Sequence, residues 1–162
     1  EIWNKAADQI VTSLKKNKSV VLLCLGDTSL FASSSNILRI IKSCYPEVNI
    51  KIIPGISALS ATAATSCFDL ARKGETLIIQ ECPSSKFELL ELMNLNKKNR
   101  SVLVLMKVGK RWPWVKEVLN KEKILNKSLL GVNVGMSDEY VDIASRYQND
   151  IVPYFSLLLI RF

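Results

Sequence analysis

The sequence predicts an α/β fold, because short apolar runs alternate with amphipathic segments along its first half. Apolar residues recur at helical spacing over 2–14, and a β-branched, leucine-rich run follows at 20–25. A second helical pattern covers 30–44 and precedes a second apolar run at 48–53. Strands that alternate with helices in this order indicate a parallel sheet.

The remainder of the chain predicts further strands and helices, which we assign to a second α/β lobe with a mixed sheet. A helix rich in small residues is expected at 57–67. Later strands are expected at 76–80, 101–108, 129–134 and 154–160, and helices at 86–95 and 113–119. The last strand is apolar enough to be central or paired in a hairpin. We place the lobes at 1–70 and 71–162, joined by the polar stretch 69–74.

Composition narrows the classes of function. Of the 162 residues, 48% are apolar and 23% are charged, as in ordinary globular proteins. No apolar run approaches the roughly 20 residues that a membrane helix needs, so no membrane partner is expected. The net charge of +7 suits an acidic partner such as nucleic acid, an anionic surface or a polycarboxylate substrate. The same charge also suits a plain solvated surface.

Histidine is absent, and the four cysteines stand far apart in the sequence, with no CxxC pair. The lack of histidine excludes a Ser-His-Asp triad and an HExxH zinc site within this chain. We therefore expect no metal site. Scattered thiols are typical of a reducing compartment, which predicts a cytoplasmic protein.

The first candidate ligand loop follows the first predicted strand. In an open α/β sheet, ligands bind beyond the carboxyl ends of the strands. Gly26 lets a ligand approach the backbone, and Asp27 can accept hydrogen bonds from an amine or a hydroxyl. Thr28 and Ser29 are expected to cap the next helix. The alternative is an ordinary turn at the start of that helix.

The second candidate loop, the PGISA segment at 54–58, follows the second predicted strand. Because the carboxyl ends of parallel strands share one edge, the two loops are expected to lie side by side as a polar floor for a small ligand. The alternative is a helix start with Ser57 as its cap.

The order of these motifs resembles the tetrapyrrole (corrin/porphyrin) methylases. The resemblance begins with the GDTSLF and PGISA segments, each between a predicted strand and a helix. It continues through VLMKV at 104–108 and VNVG at 132–135. The YFSL segment at 154–157 resembles the C-terminal strand of the precorrin-2 C-20 members in particular.

This resemblance implies a two-lobed fold with a truncated parallel-sheet N-terminal lobe, a mixed-sheet C-terminal lobe and S-adenosylmethionine in the cleft between them. Homodimers are common in the family, and one is expected here. The resemblance implies contacts to the methionine and ribose part of the cofactor from Leu25, Gly26, Asp27 and Leu30. It implies further contacts from Ser57 and Ala58, and contacts to adenine from Met106 and Gly135.

Two departures from the family pattern affect these expectations. Thr28 stands where most members have proline, which leaves the loop less rigid. The family's N-terminal Gly-Pro-Gly segment has no counterpart in this sequence, which begins at Glu1. We therefore expect a truncated N-terminal lobe and a chain that is inactive alone.

The expected reaction is methyl transfer to C-20 of precorrin-2, or of its cobalt form, in cobalamin biosynthesis. The alternatives are another tetrapyrrole methylase, such as the uroporphyrinogen-III enzyme, or a basic nucleic-acid-binding module. The second alternative rests on the net charge and on the KRWPW cluster at 110–114. In the leading interpretation the partner is a tetrapyrrole polycarboxylate and not a nucleic acid.

No catalytic residue is assigned from the sequence. The carbon that accepts the methyl group must later lose a proton, and Asp27 and Glu81 are bases by residue type only. Lys107, Lys110 and Arg111 are expected either to attract substrate carboxylates or to be solvated loop charges.

Overall fold

A computed structural model describes residues 1–162. The chain divides into two compact units, Glu1–Ser57 and Ala58–Phe162. The boundary between lobes that the sequence predicts near residue 70 stays a prediction.

Two amphipathic helices form the core of the first unit. Helix α1 spans Ile2–Lys15 and helix α2 spans Ser34–Cys44. Apolar residues four positions apart lie on the same face of a helix, so each helix presents one apolar stripe to the other. The buried side chains of this contact are Ala7, Val11, Ile37 and Ile41. Val48 and Ile50 of the following segment pack against them.

The two strands expected at 20–25 and 48–53 are not formed, so the predicted parallel sheet of the first unit is absent from this structure. Val21, Leu23 and Leu25 are 80%, 87% and 68% exposed. A strand exists only where a neighbour's N–H and C=O groups pair with its own in register. Neither segment has such a partner here, although each has the composition of a strand.

Helix α2 begins four residues later than the predicted helix at 30–44. Phe31 has a φ of 53°, in the left-handed region, and a right-handed helix cannot pass through that conformation. The segment that follows Gly26 is therefore a longer loop than the sequence pattern indicates.

The second unit contains one mixed sheet, as predicted, and the sheet has five strands. Its strands are β1 (Thr76–Glu81), β2 (Ser101–Met106), β3 (Ser128–Val132), β4 (Tyr140–Ile143) and β5 (Ser156–Arg161). Their order across the sheet is β1-β2-β5-β3-β4. Only β1 and β2 are parallel, and the other pairs are antiparallel. The last strand is therefore central, and β4 is a strand that the sequence pattern did not indicate.

Helices flank this sheet at α3 (Ala58–Thr65), α4 (Lys86–Lys98) and α5 (Trp112–Lys121). Ser85 caps α4, accepting a hydrogen bond from Glu88 N at 3.2 Å. Pro113 lies in the first turn of α5, as predicted. No helix of the chain combines the length and the apolar character needed to cross a membrane.

The core of the second unit lies between the sheet and its helices. Strand β2 is fully buried from Val102 to Leu105, and Trp112 is also 0% exposed. Each such side chain contributes about 1.5–3 kcal/mol by leaving water. The indole of Trp112 donates to Asn149 O at 3.1 Å. The KRWPW cluster therefore packs a helix start against the core and offers no stacking surface at Trp112.

Candidate functional site

The two candidate loops of the first unit meet through their glycines. Gly26 has a φ of 75°, a conformation that glycine adopts at little cost. A Cβ at Gly55 would overlap the carbonyl oxygen of Gly26 and would lie 3.5 Å from Asp27 Cα. Position 55 therefore requires glycine for the two backbones to approach this closely, as the prediction of adjacent loops expects.

Asp27 is an oriented carboxylate at this meeting point. Its Oδ1 accepts hydrogen bonds from the backbone N and the hydroxyl of Ser29, both at 2.7 Å. The Ser29 hydroxyl, and after it the Ser29 N–H, lowers the pKa of Asp27 below its usual value. Asp27 is therefore ionised at neutral pH, and its Oδ2 takes part in neither of these bonds.

The expectation that Thr28 and Ser29 cap the next helix is wrong. Helix α2 starts at Ser34, so neither residue is next to its first turn. Ser29 is engaged with Asp27 instead, and the Thr28 hydroxyl donates to Ile53 O at 3.3 Å. Thr28 thus ties the first loop to the residue that precedes the second.

The other predicted contacts of this region lie close by in sequence. Leu25 is 68% exposed, and Leu30 is half-buried. Ser57 is 9% exposed and ends the first unit, and Ala58 begins α3. The two loops, 26–31 and 54–58, are called the loop pair. The loop pair presents one ionised carboxylate, two backbone segments that approach each other closely, and apolar side chains. This set suits a small ligand with amine or hydroxyl donors.

In the second unit, one edge of the sheet brings together the two predicted adenine contacts. Strands β1, β2 and β3 end at this edge, where β5 begins, because Met106 pairs with Leu157 and Val132 pairs with Ser156. Gly135 follows β3 with a φ of 84°, and a Cβ there would have no neighbour within 4 Å. Met106 and Gly135 thus flank the first residues of β5.

Backbone groups at this edge already take part in hydrogen bonds. Met106 O accepts from Cys82 N at 2.7 Å, and Gly135 N donates to Glu139 Oε2 at 2.6 Å. A ligand that used the Gly135 N–H would have to displace Glu139. The edge can bind a heterocycle through packing more readily than through these two groups.

A paired lysine stands at the same edge. Lys107 has a φ of 57° and its ammonium forms an ion pair with Glu81, the last residue of β1. The hydrogen bond to Glu81 raises the pKa of Lys107 above its ordinary value. Arg111 Nη1 donates to Lys107 O at 3.4 Å. The sequence suggested Glu81 and Lys107 for separate roles, and the structure brings them into contact.

Sequence reasoning missed Ser29 as the partner of Asp27, although a hydroxyl two residues after an aspartate is a recognisable turn pattern. It also missed the side-chain contact between Glu139 and Gly135, which no local pattern indicates. No group of three or more His, Cys, Asp or Glu side chains could hold a metal ion. All four cysteines are free thiols.

Comparison with known proteins places the chain in a family. The model of the tetrapyrrole (corrin/porphyrin) methylases matches residues 1–147. The cobalt-precorrin-2 C(20)-methyltransferase of Salmonella typhimurium is 28% identical over 162 residues, 99% of this chain and 65% of that protein. The cobalamin biosynthesis protein CobIJ of Mycobacterium bovis is 22% identical over 160 residues, 99% of this chain and 30% of that protein.

Solved structures share the fold. The cobalamin biosynthetic enzyme cobalt precorrin-4 methyltransferase, CbiF, superposes with a TM-score of 0.72 at 18% identity, covering 98% of this chain and 70% of that one. The uroporphyrin-III C-methyl transferase of Thermus thermophilus, solved with S-adenyl homocysteine, gives a TM-score of 0.62 at 14% identity, covering 96% of this chain and 72% of that one.

The chain spans 65% of the length of the Salmonella relative, with which it shares 28% of the aligned residues. The match of the family model covers the first unit with its loop pair, and the second unit as far as residue 147, which precedes β5. The cofactor contacts expected at individual residues stay predictions. This chain belongs to the tetrapyrrole (corrin/porphyrin) methylases.

Proposed function

We propose that the protein is an S-adenosylmethionine-dependent C-methyltransferase of cobalamin biosynthesis that methylates precorrin-2, or its cobalt form, at C-20. The observation that carries the proposal is the similarity to the Salmonella cobalt-precorrin-2 C(20)-methyltransferase, which extends over 99% of this chain. The YFSL segment at the start of β5 supports the same subfamily.

The residues of the loop pair fit the proposed cofactor. S-adenosylmethionine carries an amine and ribose hydroxyls. Each of these groups can donate a hydrogen bond to an ionised Asp27. The close approach of Gly26 and Gly55 leaves backbone uncovered by side chains at that point. Leu25, Leu30, Ser57 and Ala58 are the further contacts proposed around this part of the cofactor. Met106 and Gly135 are the contacts proposed for adenine.

Methyl transfer requires the protein chiefly to align the methyl donor with the carbon that accepts the methyl group. When bound, the sulfonium of S-adenosylmethionine supplies an electrophilic methyl group, so no protein nucleophile is required. Fixed loops hold the two reactants in line, which is an effect of orientation. The Asp27 carboxylate is held by Ser29, which suits binding more than proton transfer. The group that removes the proton from C-20 is not assigned.

The proposed substrate is a polycarboxylate, in agreement with the net charge of +7. Positive surface attracts an anionic substrate and raises its rate of encounter. We also propose that the protein is a cytoplasmic homodimer. Light scattering over a range of concentrations tests the dimer, and a purely monomeric protein would contradict it.

Product analysis tests the proposed function. The protein is incubated with precorrin-2, or its cobalt form, and S-adenosylmethionine labelled with ¹³C in the methyl group. The proposal predicts one labelled methyl on C-20 in the NMR spectrum of the product. Label on another ring carbon would indicate a different tetrapyrrole methylase, such as the uroporphyrinogen-III enzyme. Absence both of transfer and of S-adenosylhomocysteine binding would contradict the methyltransferase assignment.

A further inference from the structure

Two aromatic side chains stand exposed where the central strand β5 begins. Tyr154 is 60% exposed and Phe155 is 54% exposed. Their ring centroids lie 5.4 Å apart, and their planes meet at 70°. The two rings, which we call the aromatic corner, form an angle open to solvent. Contiguous exposed apolar surface is a feature of binding sites, and these two rings adjoin.

The backbone that carries the aromatic corner is fixed on both sides. Phe155 O accepts a hydrogen bond from Asn133 N at 2.8 Å. The hydroxyl of Ser156, a residue only 4% exposed, accepts from Gly109 N at 2.9 Å and donates to Pro153 O at 2.8 Å. The rings therefore project from an ordered backbone, and their exposure is a preorganised feature of the surface.

A cation adjoins the aromatic corner. The pairing of Met106 with Leu157 places Lys107 next to the start of β5. The pKa of Lys107 is raised, first by the hydrogen bond to Glu81 and also by an interaction with Tyr154 of the corner. The Lys107 side chain is therefore cationic at neutral pH.

The loop after Lys107 adds further positive charge to this edge. Lys110 is exposed and Arg111 is half-buried, and both follow within four residues of Lys107. Glu81 forms its ion pair with Lys107 and with no other of these cations. In this pair the Lys107 side chain is 29% exposed and the Glu81 side chain is 52% exposed. A cationic Lys107 beside exposed aromatic rings complements a ligand that has both an apolar ring face and anionic groups. Two carboxylates of the same edge are engaged elsewhere, because Asp138 accepts from Asn133 and Glu139 accepts from Gly135.

We infer that the aromatic corner and Lys107 form a subsite for the macrocycle of the tetrapyrrole substrate. The inference rests on the proposed function. A tetrapyrrole polycarboxylate presents a broad apolar face and carboxylates around its rim. The face packs on Phe155 and against Tyr154, and one rim carboxylate binds the Lys107 ammonium. These residues determine which ring system is accepted and in which orientation.

Binding of uroporphyrin III, a planar octacarboxylate, tests the subsite through its fluorescence. We expect Phe155→Ala and Tyr154→Ala to weaken binding roughly tenfold each, as lost aromatic packing does. The matched control is Phe87→Ala, which removes a ring that is 68% exposed on α4 and should change affinity less than about twofold. Lys107→Met should weaken binding and reduce its salt dependence, and Lys107→Arg should restore both.

The same variants are titrated with S-adenosylhomocysteine, and their melting temperatures are compared to exclude misfolding. Unchanged cofactor affinity with weakened uroporphyrin binding is the expected result. Equal losses for both ligands would assign the corner to the cofactor and overturn the inference, while leaving the proposed function standing. Unchanged uroporphyrin binding, or loss of a dimer in Phe155→Ala without that weakening, would also overturn it. A native chain that binds no S-adenosylhomocysteine would instead count against the proposed function.

Discussion

Two apolar segments of similar composition have opposite environments in this protein. The run at 20–25 of the first unit has no strand partner, and Leu23 is 87% exposed. Strand β2 of the second unit is paired on both sides, and Leu103 is 0% exposed. The comparison shows that an apolar, β-branched run records a capacity for burial, whereas the available partners decide whether burial occurs.

The largest effect predicted from this comparison comes from the same substitution in the two segments. Leu103→Ala should destabilise the protein by about 2–5 kcal/mol, because it removes buried methyl groups and leaves a cavity. Leu23→Ala should change stability by less than about 0.5 kcal/mol. Urea unfolding of both variants measures the difference. Equal losses would show that 20–25 is buried in solution, and the two segments would then not differ in environment.

A smaller effect is predicted for the loop pair of the first unit. Gly55→Ala should force the loops apart, because the new Cβ overlaps Gly26 O, at a cost of about 1–3 kcal/mol in stability. It should also weaken S-adenosylhomocysteine binding. Gly74→Ala is the matched control, since a Cβ at that position meets no atom within 4 Å and only the positive φ of 82° opposes it.

Calorimetry on the two glycine variants separates the effect of backbone strain at position 74 from the effect of steric overlap at position 55. Gly74→Ala should lose about 1 kcal/mol of stability and keep its cofactor affinity. Retained affinity in Gly55→Ala would mean that the close approach of the two loops is not needed for the cofactor.

The smallest effect is a pH dependence on the surface of the second unit. Glu117 accepts from Lys121 at 2.8 Å and also pairs with Lys86, and these bonds lower its pKa from 4.5 to about 2. A lowered folded pKa gives stability that is complete above the unfolded value of 4.5 and is lost as the pH falls toward about 2.

Melting temperatures of the native chain and of Glu117→Gln, measured from pH 6 to pH 2, test this dependence. The native chain should be the more stable at pH 6, and the difference should shrink as the solution is acidified. A difference that does not vary with pH would show that the pairs with Lys86 and Lys121 contribute nothing in solution.

Local sequence patterns predicted most of the second unit. The apolar runs at β1, β2, β3 and β5 and the helical pattern at α4 became the expected elements, since each found a partner within the same unit. Strand β4 did not stand out because it is only four residues long and carries the charged Asp142 among its apolar residues. Its position depends on the register with β3, which a single sequence does not contain.

In the first unit the local patterns were less sufficient. Helix α1 needs only its own hydrogen bonds and one apolar stripe, and it was predicted closely. The strands predicted at 20–25 and 48–53 each required a hydrogen-bonding partner strand, and they do not pair. Helix α2 begins later than predicted because Phe31 has a left-handed backbone conformation. The role of Ser29 depends on a side-chain hydrogen bond to Asp27. The candidate loops were nevertheless found, because glycine and aspartate at turn positions carry their own signal.

The loop pair around Asp27 is the proposed binding site of the methyl donor. Its most direct test is calorimetric titration with S-adenosylhomocysteine of the native chain, of Asp27→Asn and of Asp150→Asn, a control whose side chain is 90% exposed. We predict one saturable site in the native chain, full affinity in Asp150→Asn, and affinity at least about tenfold weaker in Asp27→Asn, since a charged acceptor is lost. Equal affinity in all three proteins would contradict the claim.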